Sequence, residues 1–243
     1  SRHVYKIGFY TFITIFGYFL LLPLDYFPKS LLGNGTIYNL FAKGIPNCYF
    51  YKRSESLVLY YNLCFAYFST DFIYIFIEKI TSDYEQSDFI NIICQHVCTL
   101  SLILFSYMTN YSNVGSLVLF LHNESDILLH LTRFFIQTDH GLLTSVIVFI
   151  FTLNFVYMRQ IVFGHIIYYL FTYLIYYCIF VNLTLFLFLC VLYILHIRWG
   201  IVIIYKTKEL LFHKELFTDT IHYDTTNKKN NEEKNDKNLN KEE

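Results

Sequence analysis

The chain has 243 residues and a formal net charge of −1; 55% of it is hydrophobic, 21% aromatic and only 15% charged. A soluble surface needs roughly a quarter or more charged positions, so a water-soluble globular domain is excluded, and no nucleic-acid partner is expected. Residues 1–205 carry ten basic and ten acidic groups, whereas the last 38 residues carry eight Lys and nine acidic groups.

A bilayer core of about 30 Å needs roughly 20 apolar residues per helix. Runs of that kind fall at about 5–24, 57–78, 90–108, 113–135 and 141–158, with a final run over 161–205. The first run shows no small-residue cleavage site and reads as a spanning helix rather than a signal peptide. Pro23, Pro28 and Pro46 punctuate the end of helix one and the loop after it. The last run divides in two ways. "FGHIIYYLFTYLIYYCIF" (163–180) has seven Phe or Tyr in its first fifteen residues, which suits an interfacial or re-entrant segment as well as a span. Residues 181–206 form a span with a basic end. The tail "TTNKKNNEEKNDKNLNKEE" is too polar to offset chain entropy and reads as disordered. The expected division is a transmembrane domain over 1–206 and a disordered tail over 207–243. With six spans, Arg2, Lys6, Lys79, Arg133, Lys206, Lys208 and Lys214 share one side, against Lys29, Lys43, Lys52 and Arg53. That bias places both termini in the cytosol.

Ionisable groups at membrane depth are costly and are functional candidates. They are Asp71, His96, His122, Glu124, Asp126, His130, Arg133, Arg159 and His196. His122, Asp126 and His130 are spaced four apart, so they share one helix face. That face meets Gly115, which permits close approach of another backbone. A carboxylate one turn from an imidazole can hold its tautomer and stabilise its charged form. The same spacing fits a hydrogen bond that only locks helices together. His96, with Thr99 one turn along, lies on the preceding helix, and the short "TNYSN" turn brings the two helices into one hairpin. No HExxH or similar spacing occurs and no metal is expected. The six cysteines show no disulfide or zinc spacing. Of the Asn-x-Ser/Thr triplets at Asn34, Asn110, Asn123 and Asn182, Asn34 is the one in a long loop.

"QHVCTLSLILFSYMTNYSNVGSLVLFLHNESDILLHLTRF" resembles the longevity-assurance motif of ceramide synthases, within the TLC domain family. His96, Thr99, Ser106–Tyr107, Asn110, Val114–Gly115, His122, Ser125–Asp126 and Leu128–Leu129 fall in the motif's register. "HVYKIGFY", "MRQIVFG" and "LYILHIRW" extend the likeness over about residues 1–206. The resemblance implies an all-α integral membrane protein, a bundle or barrel of six transmembrane helices in the endoplasmic reticulum membrane. It implies transfer of a fatty acyl group from acyl-CoA, as co-substrate with no further cofactor, to a sphingoid base. Membrane lipids and a homo- or heterodimer partner belong to the same expectation. His96, His122 and Asp126 are then the catalytic candidates. Gln95, Thr99, Tyr107, Asn110, Asn123, His130, Arg133 and Arg159 are the candidates for substrate binding. Four positions depart from the motif: Gln95 stands for the first His of a pair, Asn123 for an Asp, His130 for a Glu and Arg133 for a Lys. Gln cannot act as nucleophile or base. A catalytically impaired member that binds or regulates lipid, or partners an active paralogue, is therefore the alternative, and a transporter or channel lined by the His–Asp face is a third reading.

Overall fold

A computed structural model of the chain describes residues 2–42, 54–81, 89–138, 141–174 and 179–212. In order they form α1 (Arg2–Leu21), a 3-10 turn (Lys29–Leu31), α2 (Asn39–Ala42), α3 (Glu55–Thr81) and α4 (Phe89–Met108). Then come α5 (Ser112–Thr138), α6 (Leu142–Val156), a π-helical turn (Tyr157–Val162), α7 (Phe163–Leu174) and α8 (Ile179–Phe212). Apart from an isolated bridge between Pro28 and Gly35, the described residues are helix, turn and loop. Pro46, Cys48, Cys178, the loop cations Lys43, Lys52 and Arg53, and residues 213–243 lie outside the described residues.

In lipid, every backbone N–H and C=O needs an internal partner, which a helix supplies. Three described stretches are long and apolar enough to cross a membrane: His3–Leu21, Leu142–Thr172 and Val181–Leu211; the apolar part of α4, Ile92–Met108, is shorter. α3 and α5 have 27 residues each, about 40 Å at 1.5 Å per residue, but both carry polar groups along their length. Large apolar side chains face outward, Phe19 at 69% and Ile90 at 75% exposure among them, as suits a body solvated by lipid rather than water.

Two expectations change here. Residues 163–180 are neither a separate span nor re-entrant over their described part. Instead α7 continues α6 through the π turn, making 142–174 one helical run. No Pro or Gly falls in "YMRQIV", so the extra residue of a π turn is absorbed without ending the helix. At the other end, α8 continues to Phe212, so the first six residues of the expected tail are helical.

α5 is the centre of the body, with fourteen of its 27 residues buried. It packs on α1 and α6, while α4 packs on α3 and α8. One side of α5 joins an apolar cluster that includes Phe27, Leu117, Leu121, Phe163, Ile166 and Leu185. The other joins Tyr10, Ile13, Tyr60, Tyr61 and Leu119. Gly115 does permit a close approach, but of side chains: a Cβ there would overlap the Tyr61 hydroxyl and Ser106 Oγ. Those two groups lie 3.2 Å apart, and Tyr61 also donates to the Ser112 carbonyl at 3.0 Å. The glycine thus lets α3, α4 and α5 meet at a hydroxyl contact.

Candidate functional site

A cavity of about 590 Å³ lies at the end of the body where α1 and α4 begin and α3 and α5 end. Its walls carry Lys6 from α1, Asp71 from α3, Gln95, His96 and Thr99 from α4, and Asp126, His130 and Arg133 from α5. Arg159 from the π turn and His196 from α8 complete it. Beyond Thr99, which borders both spaces, a narrow apolar slot runs between α4, α5 and α8, lined by Leu102, Val118, His122, Leu185 and Leu189. Its free space of about 20 Å³ is little more than one water needs.

The shared face of His122, Asp126 and His130 is present, and all three are buried. Their partners differ from the expected His–Asp coupling. His122 donates from Nδ1 to the Val118 carbonyl at 2.7 Å, and its Nε2 lies 3.1 Å from Nε2 of His196. Asp126 instead forms a short ion pair with Arg159. His130 stacks on Tyr10 with ring centroids 5.4 Å apart, and its Nδ1 lies 3.5 Å from Nδ1 of His3. Four residues apart on one helix sets a common face, but which neighbour fills the space beside each side chain is set by the other helices.

Arg159 is 3% exposed, and a buried guanidinium demands a full set of acceptors. Its Nε donates to Ser125 Oγ at 2.6 Å, and Nη2 donates to the His122 carbonyl at 3.1 Å as well as to Asp126. Its Cζ lies 5.6 Å from the centroid of the Phe155 ring, within cation–π range. The π turn is what carries this side chain inward, and π turns of this kind recur at functional sites.

Across the cavity, Lys6 pairs with Asp71 at 2.7 Å. His96 places Nε2 3.3 Å from Asp71 and Nδ1 2.9 Å from the Ile92 carbonyl. Both ring nitrogens thus face protein oxygens, which withholds them from nucleophilic work. Gln95 and His96 both line the cavity, although neighbouring helical positions diverge by about 100°; the space is wide enough to reach both. Lys6 and Asp71 also border an aromatic groove of about 480 Å³ formed with Tyr5, Phe9, Tyr67 and Tyr74.

The structure brings together Gln95, His96, Thr99, Asp126, His130, Arg133 and Arg159. It sets Tyr107, Asn110 and Asn123 elsewhere. Tyr107 packs on Tyr61. Asn110 takes a positive φ of 63° in the α4–α5 turn, a conformation Asn tolerates. Asn123, fully buried, donates to Tyr60 at 3.2 Å and to Cys64 Sγ at 3.6 Å. Glu124 turns to α6, where Asn154 donates to both its carboxylate oxygens at 2.9 and 3.1 Å. His196, Lys6 and Asp71 join the cavity without belonging to the expected site. For His196 and Asp71, the signal was an ionisable side chain inside an apolar run. Among the described residues, no group of three or more His, Cys, Asp or Glu is placed to hold a metal.

The TLC domain profile matches residues 1–205. The chain belongs to the TLC domain family. Its relatives within that family include human ceramide synthase 3, 27% identical over 226 residues that cover 87% of this chain and 52% of the relative. Mouse ceramide synthase 3 is 28% identical over 180 residues, 69% of this chain and 41% of the relative. Bovine ceramide synthase 4 is 36% identical over 81 residues, 33% of this chain and 21% of the relative. This TLC domain chain thus spans about half or less of the length of these relatives.

Proposed function

We propose that this protein is a ceramide synthase-like N-acyltransferase that joins the acyl group of an acyl-CoA to the amine of a sphingoid base. In this reading six helical spans cross the endoplasmic reticulum membrane with both termini in the cytosol. The cavity mouth, at the end where α1 begins and α3 ends, faces the CoA. The observation that carries the proposal is the polar cavity of about 590 Å³ inside an apolar body, continued by an apolar slot with His122 beside it. A reaction joining a charged thioester carrier to a lipid amine needs such a junction of wet and greasy space.

Lys6 and Arg133 at the mouth attract the phosphates of CoA. The apolar slot takes a lipid tail when its helices part, and the aromatic groove between α1 and α3 gives a second tail a path from the bilayer. Gln95 holds the motif position of a His but supplies only an amide, which can donate to a thioester carbonyl and cannot attack it. His96 is engaged at both nitrogens. Direct attack of the amine on the thioester carbonyl therefore fits these residues better than a covalent acyl-imidazole. A C–N bond forms, the C–S bond breaks, and CoA leaves as the thiol.

The test is purified protein in bilayers with sphinganine and a panel of acyl-CoAs, read by mass spectrometry for N-acyl product. Product is expected from wild type. Gln95 favours a second reading, a lipid-binding member without activity. Absence of product from wild type with product from Gln95→His would establish that reading instead.

A further inference from the structure

We infer that Asp71 captures the amine substrate by its ammonium group, and that the groove between α1 and α3 is the lateral entrance through which that substrate arrives. This rests on the acyl-transfer reading and goes beyond it by giving the amine a docking carboxylate outside the family motif. The groove, of about 480 Å³, is lined on α1 by Tyr5, Lys6 and Phe9 and on α3 by a stripe that runs from Leu63 to Tyr74 at helical spacing. Tyr5, Ala66, Thr70 and Tyr74 are exposed, so the groove opens sideways. Exposed tyrosines suit the headgroup level of a bilayer. Leu63 lies eight residues before Asp71, about 12 Å along α3 and farther from the end where α1 begins. The groove is therefore apolar at its deeper end and charged at its outer end, the order in which a single-tailed amphiphile lies in a leaflet.

Asp71 stands at the junction of two spaces. With Lys6 it borders both the groove and the polar cavity, and its side chain keeps 11% of its surface accessible. Lys6 Nζ lies 2.7 Å from the carboxylate, and His96 Nε2 lies 3.3 Å from it. Asp71 is short and held from α4 by His96, whereas Lys6 has a flexible four-carbon stem, so Lys6 is the partner that moves. An arriving ammonium replaces the Lys6 ammonium like for like, which leaves the carboxylate paired. Lys6 then turns to the cavity, whose wall it also forms. The lining selects a cationic head over an anionic one. Among the described residues, the charged groups of the groove are Lys6 and Asp71, and four aromatic rings stand with them. Phe9 and Tyr67 stack there at 3.7 Å between centroids. Ring faces attract cations. An anionic head bound at Lys6 would sit beside the Asp71 carboxylate, which has no long stem on which to withdraw. Asp71 acts in capture and takes no part in bond making.

The full chain in lipid nanodiscs, without acyl-CoA, tests this with a sphinganine that carries a photoreactive group in its tail. Cross-links are expected within Arg2–Leu21 and Glu55–Thr81. Octadecylamine should compete, and octadecanol and octadecanoate should not. In Asp71→Asn the concentration for half labelling should rise about tenfold or more, the loss of a hydrogen bond to a charged group. Lys6→Gln removes the competing ammonium and should lower that concentration, a change opposite in direction to any damage to the fold. Ala66→Phe fills the groove without touching the ion pair and should raise it. Equal labelling of wild type and Asp71→Asn, weaker labelling of Lys6→Gln, or competition by octadecanoate instead of octadecylamine overturns the role of Asp71. Unchanged labelling of Ala66→Phe overturns the groove as the entrance. Capture in the expected pattern with no N-acyl product on adding acyl-CoA overturns the acyl-transfer reading alone.

Discussion

Replacing Asp126 by Asn probes which residue that carboxylate serves. The structure pairs it with Arg159, buried to 3% exposure, and leaves His122 bonded to His196 instead. Removing one partner of a buried ion pair costs about 3–5 kcal/mol, because the remaining charge stays buried without compensation. For a chain of this size each kcal/mol lowers Tm by roughly 2–4 °C, so Asp126→Asn should lower it by on the order of 6–20 °C. Far-UV circular dichroism during heating in lipid nanodiscs reads the change. Arg159→Met shortens no helix and removes the orphaned charge, so Asp126→Asn with Arg159→Met should recover much of the loss. A cycle with His122→Gln in place of Arg159→Met should show far weaker coupling. A drop of less than roughly 2 °C in Asp126→Asn, or additive losses in the double variant, would refute the pairing. Strong coupling to His122 alone would restore the simpler picture in which the carboxylate serves the imidazole.

Gly115→Ala drives a methyl into the Tyr61 hydroxyl and Ser106; overpacking of this kind costs about 1–3 kcal/mol, and Tyr61→Phe in the same chain should recover part of it in thermal unfolding. Asn123→Asp restores the motif's carboxylate where the Asn amide donates to Tyr60 and Cys64 and its Oδ1 accepts from no group. It should lower stability by about 1–3 kcal/mol or more and raise no N-acyl product; gain of product would show that the position reaches substrate. Gln95→His places an imidazole on the cavity wall and should increase amide formation in the bilayer assay. Unchanged turnover would mean that the position is not within reach of the reacting groups.

The helical period of α5 made the common face of His122, Asp126 and His130 readable, because that face depends on spacing within one helix. The hairpin of α4 and α5 was readable for the same reason, since a five-residue turn leaves few ways to join two long helices. The contacts across helices were not. Whether Asp126 meets His122, Arg159 or His96 depends on axial offsets between α5, α4 and the π turn, which no local pattern encodes. The π turn itself left no Pro or Gly to mark it, so Arg159 is legible as a substrate-binding candidate, but its inward turn onto Asp126 is not. His196 stood out in an apolar helix, but its pairing with His122 depends on α8 packing on α4 and α6 so that the two side chains reach each other. The motif position of Asn123 implies a substrate contact. Its side chain lies between α5 and α3, where it completes a buried polar contact.

The central claim is that the cavity joins an acyl thioester to a lipid amine. Isotope-labelled sphinganine and acyl-CoA, incubated with the folded protein in bilayers and resolved by mass spectrometry, test it most directly. The predicted result is labelled N-acyl product with an equal amount of free CoA thiol from wild type. No N-acyl product at any acyl-chain length, from protein whose thermal unfolding shows it intact, would contradict the account.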